Sequence, residues 1–130
     1  MNRRPLFAAL LCACVACGPD ETISGYANPQ AVYGLRSVDG EEFAARATIA
    51  FPKEGEVTGT GPCNGFRSTQ SAPYPWFALG PIAATRRACA DLALEQTYFD
   101  ALASMTLAEV SGPVLLLSNT DGRELVFQAD

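Results

Sequence analysis

Three kinds of residue in this chain have side chains suited to chemistry: a pair of cysteines, Cys63 and Cys89, one glutamate set among apolar residues, Glu95, and an aromatic run at Tyr74, Trp76 and Phe77. A thiol nucleophile needs a lowered pKa, and here only Arg86 or Arg87 offers a nearby positive charge, with no C-x-x-C spacing to help. Two thiols in an oxidising space suggest a disulfide instead, a covalent brace between the loop at Cys63 and the helix start at Cys89. In the chain-entropy account such a bond contributes about 3 kcal/mol. The alternative is a pair of buried free thiols that behave as small apolar groups. A metal is not expected, because the sequence has no histidine and two distant cysteines cannot complete a zinc shell. No cofactor is expected either. Glu95 lies on or beside an apolar helical stripe, so if buried it needs a partner. That partner is expected to be an arginine such as Arg86 or a backbone group, with a ligand site the weaker reading. Glu41 and Glu42 adjoin a turn and read as solvated rather than as an acid–base pair. Tyr74, Trp76 and Phe77, stiffened by Pro73 and Pro75, form a candidate contact surface. The competing reading is that they close the open end of a curled sheet.

The compartment that would oxidise those thiols is legible at the N-terminus. Arg3 and Arg4 precede an apolar run from residue 5 to 16, the pattern of a secretory signal. The run is too short to make a comfortable membrane span. It ends in Cys14-Val15-Ala16-Cys17, small residues before a cysteine, which resembles the lipobox cut by lipoprotein signal peptidase. The overlapping Leu11-Cys12-Ala13-Cys14 has the preferred leucine. Cys17 is favoured because the turn-forming, polar Gly18-Pro19-Asp20-Glu21 follows at once, as a tether should. The expected organisation is a signal peptide over 1–16, a lipidated tether over 17–30 and one domain over 31–130. Acylation at Cys17 adds roughly 0.8 kcal/mol per buried methylene, ample for stable anchoring. Gly18, rather than Asp, after the acylated residue points to the outer membrane.

Charge narrows the partners. The chain has 14 Asp and Glu against 9 Lys and Arg, and loss of Arg3 and Arg4 leaves 7 against 14, a net of −7. Such a surface repels phosphate backbones, so nucleic acid is not an expected partner. Membrane attachment must come from the lipid at Cys17 and not from a basic face. An apolar content of 48% supports a true core in a single domain, expected as a monomer.

The elements that must position these residues are mostly strands. Residues 31–38, the Asp39-Gly40 turn and an alternating run over 43–51 make a hairpin. Further strands are expected at 56–60, 66–71, 76–82, 107–110, 114–118 and 124–128, the last two joined by Asn119-Thr120-Asp121-Gly122. Residues 18–30 lack periodicity and read as a linker. One helix is expected over 91–105, free of Gly and Pro, with Leu92, Phe99 and Leu102 on one stripe and Tyr98 and Met105 beside it. The layout is α+β: a mostly antiparallel β-sheet curled, barrel-like, around a single α-helix.

Several of these segments carry a resemblance. Gly59-Thr60-Gly61-Pro62-Cys63-Asn64-Gly65-Phe66 resembles the Gly-rich "G-x-CN" signature of the META domain (HslJ-like) family, and residues 82–89 through Thr85, Arg86 and Cys89 resemble its second signature. Glu95, Phe99 and Leu102 match the helix pattern that follows. The first hairpin, at Val32-Tyr33-Gly34-Leu35 and Asp39-Gly40, and the last, from Leu115 to Phe127, are similar too. Arg87 stands where Met is typical, and Ala90 where Pro often follows the cysteine. The resemblance covers about residues 31–128 and gives Gly61, Asn64, Thr85, Arg86, Glu95, Phe99 and Leu102 structural roles. It implies a small envelope or secreted domain, in a family linked with heat-shock response, antibiotic tolerance and, in some parasites, virulence, with no agreed reaction. The expected function is therefore a lipid-anchored, periplasm-facing accessory domain of the bacterial envelope, not an enzyme, acting through another envelope protein. The alternative is a carrier holding an acyl chain or other small hydrophobe inside the curled sheet.

Overall fold

A computed structural model describes residues 18–130; the expected signal peptide and Cys17 lie outside the described residues. After a 3-10 turn at Ile23–Gly25, the chain forms β1 (Tyr33–Val38), β2 (Glu41–Glu42), β3 (Thr48–Ala50), β4 (Gly55–Thr60), β5 (Gly65–Gln70) and β6 (Ala83–Ala84). Helix α1 (Leu92–Ala103) follows, then β7 (Leu107–Ser111), β8 (Val114–Ser118) and β9 (Glu124–Ala129). All strands pair antiparallel, in the order β6-β5-β4-β3-β1-β9-β8-β7, with β2 added to β1. The fold is thus the expected α+β arrangement, with a sheet that curls around the helix without closing.

Turn chemistry sets the hairpins. Asp39 and Gly40 both hold positive φ, 51° and 83°, the conformation a tight two-residue hairpin demands and Asp-Gly tolerates. Asn119 organises the last turn, its side-chain oxygen accepting from the backbone N–H of Asp121 and Arg123. Between Leu35 and Ser37 the β1–β9 register slips by one residue. A bulge of this kind bends a strand and increases its twist, which helps the sheet wrap.

Alternation fills the interior. Along β5 the pattern is strict, with Phe66, Ser68 and Gln70 inward and Gly65, Arg67 and Thr69 outward. Ile49, Val57, Leu115, Leu117, Leu125 and Phe127 face the same core and are fully buried. The helix answers with Glu95, Tyr98, Ala101 and Leu102. Tyr98 is its hub: the ring lies 5.7–6.3 Å from those of Phe43, Phe66, Phe99 and Phe127. Its hydroxyl donates to the Thr48 carbonyl at 3.0 Å, and burial pushes the phenol far above its ordinary pKa.

Four expectations are corrected. The return strand over 43–51 is regular only at β3: residues 44–46 leave the ladder, while the Phe43 N–H still donates to the Arg36 carbonyl and the Ala47 carbonyl still accepts from the Leu35 N–H, with Phe43 packing towards Tyr98. The strand expected over 76–82 is a strap across the open side of the sheet. It touches β5 through Gln70 and Leu79 and β7 through Trp76 and Leu107. Pro75 and Pro81 lack the N–H that a regular ladder there would need. The helical stripe runs through Glu95, Tyr98 and Leu102, leaving Leu92 exposed and Phe99 half-buried. Finally, part of the expected tether is folded onto the body. Ile23 and Ala27 join the core, and the Tyr74 N–H donates to the Glu21 carbonyl at 2.7 Å.

Candidate functional site

The motif residues converge where the β4–β5 turn meets the first turn of the helix. The turn presents two backbone N–H groups, of Cys63 and Asn64, that no strand partner takes. Glu95 Oε1 accepts both, at 3.0 and 2.7 Å, and its Oε2 accepts the Asn64 side-chain Nδ2 at 2.7 Å. Asn64 in turn reaches the strand-like approach to the helix. Its Nδ2 donates to the Arg87 carbonyl at 3.0 Å, and its Oδ1 accepts from Thr85 Oγ1 at 2.9 Å and from the Arg87 N–H at 2.6 Å. Every donor and acceptor of that amide is therefore matched, as a buried amide requires. Cys63 and Cys89 complete the arrangement as a disulfide, their Cα atoms 5.6 Å apart. The brace foreseen between loop and helix start is present.

Gly61 is a consequence of this packing. A Cβ there would lie 2.5 Å from Glu95 Oε1 and 2.8 Å from its Cγ, so any side chain would displace the carboxylate from the turn. The signature's glycine, asparagine and cysteine are thus tied to a glutamate 31 and 32 residues away from its backbone donors.

Gly61, Cys63, Asn64, Thr85, Cys89 and Glu95 are brought together. Arg86 is not: it points to solvent, and the pairing with Glu95 weighed from the sequence does not form, because three N–H groups already fill the carboxylate. The backbone contact, the other half of that expectation, is what forms. Arg87 contributes, but through its main chain. Phe99 and Leu102 lie further along the helix, where Phe99 meets Phe66 edge-on at 5.3 Å and Leu102 is buried.

The aromatic run divides. Phe77 is only 2% exposed and belongs to the core, so it is removed from the contact surface. Tyr74 is half-buried; its hydroxyl accepts from the Val110 N–H at 3.0 Å, and its ring stacks on Tyr26 at 4.2 Å. Trp76, 59% exposed, stays at the surface. Gln70 was missed altogether. It is buried, its Oε1 accepting from Ala72 and Ala78 and its Nε2 donating to the Ala72 carbonyl, which shapes the loop that carries the aromatics.

Chemically, the arrangement holds a turn rather than poises a reactive group. Both oxygens of Glu95 are engaged and both sulfurs are joined. Among the described residues no buried side-chain nitrogen or oxygen lacks a partner, and no group of three or more His, Cys, Asp or Glu gathers to hold a metal.

An antiparallel sheet curled on one helix, its Gly-rich turn clasped to the helix start by a disulfide and an Asn–Glu network, defines the class of protein. The META domain family matches residues 28–130, and the chain belongs to it. Among solved structures it is similar to a protein from Burkholderia xenovorans, with 19% identity, a TM-score of 0.64 and coverage of 100% of this chain and 99% of that one. It is also similar to a DUF4847 family protein from Bacteroides vulgatus, with 18% identity, a TM-score of 0.54 and coverage of 63% and 57%. At these identities the likeness concerns the fold. No curated protein matches the chain.

Proposed function

We propose that the chain is a lipid-anchored, periplasm-facing accessory domain of the bacterial envelope, serving envelope integrity under stress and working by contact with another envelope protein rather than by catalysis. The observation that carries the non-catalytic part is the engagement of Glu95, Asn64 and the Cys63–Cys89 pair in holding one turn. The anchoring part is supported by Arg3, Arg4, the apolar run and Cys17, with Gly18 favouring the outer membrane. The net charge of −7 after cleavage fits attachment through acyl chains rather than through a basic face.

Crosslinking in intact cells, with the mature chain as bait, tests the role. One envelope protein recovered repeatedly supports it; only abundant neighbours, varying between preparations, overturns it. The mass of the mature N-terminus tests the anchor: diacylglyceryl on Cys17 supports it, and an unmodified cysteine or an uncut leader overturns it.

A further inference from the structure

We infer that the domain does not hang from its lipid on a flexible tether but lies against the membrane, with Tyr26 and Trp76 seated in the lipid headgroup layer. The inference deepens the lipid-anchored reading and rests on it.

The argument begins with chain length. If residues 18–30 were free, the body could wander tens of ångströms from Cys17. They are not free. Asp20 accepts hydrogen bonds from the Thr22 amide and hydroxyl and from the Ser24 hydroxyl, and Ile23 is 1% exposed in the core. Only Gly18 and Pro19 separate Cys17 from this fixed point, so the reach from the acylated residue to Asp20 is about 10 Å at full extension. The headgroup region of one leaflet is itself about 5–8 Å deep. Whatever surrounds Asp20 must therefore sit at the membrane surface.

The 3-10 turn packs Gly25 against the Asp20 carbonyl, which returns the next residue, Tyr26, to the anchored end. Tyr26, 55% exposed, stacks on Tyr74, and Tyr74 is hydrogen-bonded to Glu21 through its backbone. Trp76 follows two residues later. The Trp76 backbone N–H donates to the Pro73 carbonyl at 2.8 Å, and Pro73 lines the depression beside Gly18, so two of the large apolar side chains left exposed among the described residues lie on segments held against the anchored end. Tyr and Trp, with an apolar body and a polar tip, are the side chains that favour the membrane–water boundary. Glu21 and Glu54 line the depression beside Gly18, so the contact is made by rings and gains nothing from anionic lipid.

Trp76 is the only tryptophan, so its emission reports this surface directly. The mature acylated protein is reconstituted into phosphatidylcholine vesicles and floated, and Trp76 emission is compared with that of the detergent-free body from residue 18. The expected result is a shift to the blue in vesicles and strong quenching by lipids brominated near the headgroup, unchanged when phosphatidylglycerol is added. Co-flotation with Trp76 still emitting as in water overturns this inference and leaves the anchored reading intact. A Cys17 without acyl chains and a protein that does not float overturn both.

Discussion

The two ends of strand β5 are held in opposite ways. At the Gly65 end, the turn is tied to residues far along the chain: Glu95 reaches back 31 and 32 positions, and the disulfide spans 26. At the Gln70 end, the buried amide grips residues only 2 and 8 positions ahead, and Asp20 grips 2 and 4. The first set of contacts joins sheet to helix, so it can form only when the whole fold forms. The second set shapes loops on an existing body. Loss at the clasped end should therefore lower global stability, and loss at the Asp20 end should open a local segment.

The largest effect is expected at Glu95. Glu95→Ala leaves the Cys63 and Asn64 amides and one Asn64 donor buried without acceptors, at a cost of about 3–5 kcal/mol. Glu95→Gln keeps an acceptor for the two backbone groups but sets an amide donor against Asn64 Nδ2, and should cost about 2 kcal/mol. Denaturant unfolding, with the slope unchanged, reads both. A variant that shifts neither midpoint would show that the clasp is not what couples sheet to helix.

Next comes the disulfide. Replacing Cys63 and Cys89 together by Ser should cost about 3 kcal/mol, chiefly by freeing the unfolded chain. The Asn64–Glu95 bonds do not involve sulfur, so this variant should still fold and still bury Tyr98, as near-UV circular dichroism would report. Coupling between the two replacements sharpens the comparison further. Removing the disulfide in the Glu95→Gln background should cost more or less than in the parent, since both hold the same turn. Simple additivity would mean two independent braces.

What the sequence disclosed divides along the same line. Hairpins were legible because Asp39-Gly40 and Asn119 to Gly122 encode their turns locally, and the helix because residues 91–105 lack breakers. Cys63 and Cys89 could be paired because the body holds no other cysteine. The partner of Glu95 was not legible: a carboxylate among apolar residues declares that it needs donors, but three N–H groups on a distant turn and an arginine satisfy that need equally well. Phe77 and Trp76 differ by one position, and only the strap's path across the sheet decides which ring turns inward. Gln70 was within reach. Period-two alternation puts it on the face of Phe66, where a buried amide must organise something. Residues 20–27 hid their packing because a single 3-10 turn is too short to show a period.

The smallest expected effect lies at Asp20, and it tests the local half of the comparison. Partial burial acts to raise this carboxyl, but hydrogen bonds from the Ser24 hydroxyl and from the Thr22 hydroxyl and amide outweigh it and hold the pKa below the ordinary 3.8. A depressed folded value means that the ionised group stabilises the turn fully above the unfolded pKa, and that this contribution fades as pH falls through the folded value. Asp20→Ala should therefore speed amide exchange over residues 22–27 about fivefold at neutral pH, corresponding to roughly 1 kcal/mol. The difference from the parent should narrow below pH 4. Exchange in β8 and β9, buried at Leu115, Leu117, Leu125 and Phe127, should not change. If Asp20→Ala instead lowered protection there as Glu95→Ala is expected to, the anchored end would be as much a part of the cooperative fold as the clasp.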